Sequence, residues 1–121
     1  MQNKPFRLGP VALSATLTTD ILNPPDTTGG IGTGTPGTFI LLKHIRIVNK
    51  TAAPVTASLW LGATGANAAG TELMSALSVP ANSHIDLYSP GIRLDVGDFL
   101  VGGASAGTSL TLFAEGEIGI A

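Results

Sequence analysis

Few side chains in this chain could carry chemistry, and their spacing limits what they could do. His44 and His84 are the two imidazoles, and they stand within reach of Ser14, Ser83 or Ser105 only if the fold brings them together, so no nucleophile–base pair is readable. Polar residues on the solvent or interface side of a sheet are the expectation for both histidines. Asp86, Asp95 and Asp98 could form a carboxylate pair or an oxygen-ligand metal site. A calcium loop needs more oxygen donors at short alternating spacing, so an Asp-rich turn around Gly97 is the expectation. Residues 32–37, G-T-G-T-P-G, match the dinucleotide pattern G-x-G-x-x-G. That chemistry requires a helix N-terminus directly after the glycines; here a proline interrupts and a strand pattern follows. Asn49, Lys50 and Thr51 form a glycosylation sequon, which has meaning only in a secreted protein. The chain has no cysteine, which excludes a thiolate metal site, a cysteine nucleophile and a disulfide framework. Neither catalytic residue nor cofactor nor metal is expected.

The elements that would position these groups are short and extended. Residues 39–49 form a strand pattern rich in Ile, Leu, Val and Phe, and residues 55–62 alternate Val55, Ala57, Leu59 and Leu61 against Thr56, Ser58 and Trp60. Asn49, Lys50 and Thr51 start a reversal between them, which predicts a hairpin with one face buried. Trp60 points away from Leu59 and Leu61, either as an outer-surface interface anchor or with its ring tucked under a loop. Residues 1–7 read as an arm suited to docking, with Phe6 and Arg7 as its contact residues. A first strand with a bend is expected over residues 8–22, then a Gly- and Thr-rich loop over 23–38 and another small-residue loop over 62–70. Residues 71–79 suggest a helical turn running into a strand. Turns are expected at 80–83, 89–91 and 102–107, with strands at 84–88, on either side of Gly97, and from Thr108 to Phe113 and beyond. Seven or eight short strands with regular turn signals predict an all-β antiparallel sandwich, jelly-roll-like or Ig-like, as one domain over residues 8–121.

Composition narrows the function classes. The 121 residues carry a formal charge of −2 and no basic cluster longer than the Lys43 to Arg46 run, so nucleic acid is not an expected partner. Charged residues are 12% of the chain, about half of the roughly 25% usual in soluble domains, which points to surface covered by neighbours in an assembly. No window approaches about 18 apolar residues and no apolar leader opens the sequence, so neither a membrane span nor export is expected. One Trp, one Tyr and four Phe are poor material for the coplanar aromatic platform of a carbohydrate-binding module.

Five segments in order, Ile45 to Asn49 (IRIVN), Val55 to Leu59 (VTASL), Val79 to Ser83 (VPANS), Ile92 to Leu100 (IRLDVGDFL) and Leu110 to Leu112 (LTL), resemble small β-sandwich virion proteins of tailed bacteriophages. In that group a strand of the form hIRVxN, a threonine-rich second strand, a vPAn turn and an I-x-L-x-x-GD-x-L piece recur. The resemblance covers residues 8–115. It implies a non-enzymatic capsid decoration (cement) protein on the virion surface, homo-oligomeric and trimeric, partnered by the major capsid protein or another virion protein. A tail or fibre component contacting the host is the alternative. Such proteins carry no catalytic residues to transfer; Phe6, Arg7, Trp60 and Tyr88 are the expected interface residues.

Overall fold

The computed structural model describes residues 4–22, 38–62, 71–95 and 98–120. Eight strands run in chain order: β1 (Lys4–Ala12), β2 (Asp20–Leu22), β3 (Thr38–Asn49), β4 (Val55–Gly62), β5 (Glu72–Val79), β6 (His84–Leu94), β7 (Phe99–Ala104) and β8 (Leu110–Ile120). They form two antiparallel sheets, ordered β1-β8-β3-β6 and β2-β7-β4-β5. The order follows from one operation. A chain doubled at the β4–β5 connection pairs β4 with β5, β3 with β6, β2 with β7 and β1 with β8, and rolling that ribbon places alternate pairs in opposite sheets. This is the jelly-roll form of the sandwich.

The core lies between the sheets and is aliphatic. Leu8, Ile40, Leu42, Ile45, Ile47 and Leu112 from the first sheet meet Leu22, Ala57, Leu59, Leu100 and Ala104 from the second, all essentially buried. Burial of this kind is the main stabilising term, at roughly 25 cal/mol per Å² of apolar surface removed from water. The inward period of two slips once in β3, where Ile40 and Leu42 are followed by Ile45 and Ile47. A bulge at Lys43 shifts the pairing with β8 from Leu42↔Gly116 to His44↔Glu115, so Lys43 and His44 are both spared from the core. Gly116 permits the bulge, because a Cβ there would run into the Leu41 carbonyl.

Several expectations change. The predicted β3–β4 hairpin does not form: the two strands lie in opposite sheets, and residues 50–54 carry the chain across the sandwich edge. Two apolar faces pack across a core as readily as they share a sheet, and Asn49 fixes the crossing. Its amide nitrogen donates to the Ala53 and Val79 carbonyls at 2.9 and 3.0 Å, and its side-chain oxygen accepts from Thr51 N and Oγ1 at 2.9 and 2.7 Å. Residues 4–7 of the expected arm are strand, paired with β8 from Lys4↔Ile118 onward. The single strand expected over 8–22 is two strands, separated by residues 13–19, and those residues bond to β7 through Ala104 N to Ser14 O and Gly102 N to Thr19 O. The helical turn expected at 71–79 is strand β5, with positive φ at Ala76 breaking its pairing register to β4. The turn expected at 89–91 is a bulge inside β6, where Ser89 Oγ donates to the Leu42 carbonyl at 3.0 Å. The turn at 80–83 forms as expected, closed by Ser83 N on the Pro80 carbonyl. Residues 23–37, with their glycine-rich motif, and residues 63–70 lie outside the described residues, as does Gly97.

Candidate functional site

The Lys43 bulge decides which side chains meet on the outer face of the first sheet. Past it, the register places Glu115 of β8, His44 of β3 and Tyr88 of β6 in one row, with Arg7 of β1 completing it opposite Glu115. Phe113, Arg46 and Asp86 form the next row. The residues of a row come from strands far apart in sequence.

His44 is held from three sides. Its Nε2 lies 2.7 Å from Asp86 Oδ1, its Nδ1 lies 3.1 Å from Glu115 Oε1, and its ring stacks on Tyr88 at 4.4 Å with 9° between planes. The hydrogen bond to Asp86 above all favours the doubly protonated ring; partial burial opposes it, Glu115 adds to it, and the pKa stands above the ordinary histidine value. Arg46 Nε donates to the same Asp86 oxygen at 2.8 Å, and His84 Nε2 stands 3.4 Å from the other. Arg46 first and His44 second hold the Asp86 carboxyl down at about 2. With both ring nitrogens engaged by carboxylates, His44 has none left to take a proton from a nucleophile. The three serines weighed as partners are elsewhere: Ser14 Oγ accepts from Thr16 N, Ser105 Oγ from Thr56 N, and the Ser83 carbonyl receives Asn49 N.

Beside His44 the sheet surface sinks into an open depression of about 380 Å³ lined by Arg7, His44, Arg46, Phe113, Ala114 and Glu115. It brings Arg7 of β1 against Phe113, Ala114 and Glu115 of β8 and against His44 and Arg46 of β3. Arg7 is exposed, and among the described residues its side chain makes no ion pair or hydrogen bond. Among the described residues the other lysines and arginines of this face are paired: Lys43 with Glu117 at 3.4 Å, Arg46 with Asp86, and Arg93 with Asp95 at 2.8 Å. Arg93 also lies over the Phe39 ring, 4.0 Å from its centroid.

The residues singled out from sequence fall in different places. Tyr88 is 70% exposed with one ring face on His44. Trp60, weighed as a surface anchor or as a ring tucked under a loop, is 7% exposed on the outer side of the second sheet and stands outside the main core cluster. Arg7 lines the depression, and Phe6 is held in β1 opposite Gly116, its side chain outside the described parts. Asp86 separates from Asp95 and Asp98, which close a local turn through Asp98 N to Asp95 O and Asp95 N to Asp98 Oδ2. Among the described residues no group of three or more His, Asp or Glu side chains could hold a metal ion. Arg46, Phe113 and Glu115 were not foreseen. Their signal was the alternation of Thr111, Phe113, Glu115 and Glu117 against Leu110, Leu112 and Ala114.

No protein-family model matches the sequence, and a search of curated proteins finds no relative.

Proposed function

We propose that this chain is a non-enzymatic subunit of a tailed-phage virion, a capsid decoration (cement) protein that binds the major capsid shell and stabilises it as a homotrimer on the virion surface. The observation that supports it is one-sidedness. Arg7, Lys43, Arg46, Asp86, Arg93, Glu115 and Glu117, half of the lysines, arginines and acids in the sequence, project from the outer face of the first sheet, whereas Ser58, Trp60 and Val101 on the outer side of the second are uncharged and buried. A subunit that lies between a shell and water needs two unlike surfaces. Jelly-roll sandwiches serve in viral capsids and also in lectins and cupins, so the fold raises the reading only by analogy. The motif resemblance adds to it. On a lattice, weak contacts repeated at many sites sum to firm attachment.

Size-exclusion chromatography with light scattering, before and after mixing with shells of the encoding phage assembled without this protein, tests the reading. An oligomer that co-elutes with shells is expected; a monomer that leaves the shells bare overturns it. The second reading, a tail or fibre subunit touching the host surface, is favoured by the exposed Tyr88 beside a polar cluster, and an oligomer that ignores shells would select it.

A further inference from the structure

We infer that the depression between β1, β8 and β3 is a binding site for an acidic sugar, a pyranose ring carrying a carboxylate. The inference does not depend on the virion reading. It comes from three unlike groups meeting around one open volume. Arg7 supplies a guanidinium with no partner among the described residues, and a guanidinium binds a carboxylate through two parallel hydrogen bonds. Phe113, half-buried, offers the apolar surface on which the C–H face of a pyranose packs. Glu115, its side chain 65% exposed, accepts hydrogen bonds from hydroxyls, and the Arg46 guanidinium alongside donates them.

The combination discriminates among occupants. A bare anion would gain from Arg7 but leave Phe113, Arg46 and Glu115 unused, whereas a neutral sugar would leave Arg7 unused. A polyhydroxylated acid uses all of them. The volume of about 380 Å³ falls within the roughly 300–1,000 Å³ of small-molecule sites and exceeds what one carboxylate side chain would fill. The lining is also preset: His44, fixed by Asp86 and Tyr88, holds Glu115 in place from the far side.

The isotope-labelled full chain would be titrated with D-galacturonate, D-glucuronate and N-acetylneuraminate, with D-galactose and acetate as the neutral-sugar and bare-anion controls, following backbone amide shifts. At least one acidic sugar is expected to give saturable shifts centred on residues 7, 44, 46, 113 and 115 with Kd about 1 mM, and both controls to bind roughly tenfold more weakly or less. Arg7→Gln should weaken the acidic sugar by roughly tenfold while the rest of the spectrum stays in place, since Arg7 is exposed and contributes nothing to the core. Absence of saturable shifts with all three acids overturns the inference. So does acetate or galactose binding as well as the acidic sugar, or an Arg7→Gln protein that binds unchanged.

Discussion

On the second sheet the outward residues Ser58, Trp60 and Val101 are 6%, 7% and 0% exposed, whereas on the first sheet outward Tyr88 is 70% exposed and is surrounded by ion pairs. Both faces are built from the same pleat, with side chains alternating in and out. What differs is the use of connecting chain. Residues 13–19 run along β7 and press the Ser14 and Thr16 carbonyls against Gly103, where a Cβ would collide with the first and crowd the second. The first sheet keeps its outer face open and spends charge on it. On the second, Trp60 is buried and adds no hydrophobic patch to the surface.

Substitutions should separate the two faces by size of effect. Trp60→Ala is expected to be the most damaging, at about 3–5 kcal/mol, because it empties a filled site on the closed face. Thermal unfolding would report it as a fall in Tm of well over ten degrees; a loss as small as that of a surface residue would mean that this face is open after all. Asn49→Ala should cost about 2–3 kcal/mol, since it leaves the buried Val79 carbonyl without its donor at the sandwich edge, and urea denaturation would measure it. On the open face the effects should be electrostatic and smaller. The imidazole of His44, followed by its proton shifts, should titrate above the ordinary histidine value, and Asp86→Asn should bring it back down. Its raised folded pKa means that the stabilisation is complete below the unfolded value of 6.5 and is lost as pH rises through the folded one. Asp86, depressed from 3.8 to about 2, works in the opposite sense: its contribution is present above 3.8 and disappears as pH falls towards 2. Stability should therefore peak between those limits, and a pH-independent unfolding midpoint would break the comparison. Least of all, Lys43→Ala should leave stability unchanged within about 0.5 kcal/mol, because its pairing with Glu117 is exposed.

Much of the fold was legible in the sequence because strand periodicity is local. The alternations of β4, β6 and β8 and the turn at 80–83 needed only neighbouring residues. Even the Lys43 bulge had a trace, the slip from Ile40 and Leu42 to Ile45 and Ile47, but it becomes interpretable only once Gly116 is seen opposite. The candidate site was much less legible. His44, Asp86, Tyr88 and Arg7 all drew notice singly, yet what unites them is registry across β1, β8, β3 and β6, and no local pattern encodes that. Whether β3 and β4 share a sheet or face each other across a core was equally open, since alternation says which residues are buried and not against what. Asn49 looked like a turn former and is also a buried fastener for two connections.

β8 follows every other strand in the chain and yet sits inside the first sheet, between β1 and β3. During synthesis, β1 and β3 therefore emerge with unsatisfied edges and must wait for a partner made about a hundred residues after β1 begins. The charged outer face of the first sheet, which needs Phe113, Glu115 and Glu117 of β8, is therefore complete only when the last strand has been made. Contacts of such long sequence separation place folding in the slow range, about milliseconds to seconds. A ribosome pausing before Leu110 would expose two adhesive edges, and premature termination there would yield an aggregating fragment rather than a smaller sandwich.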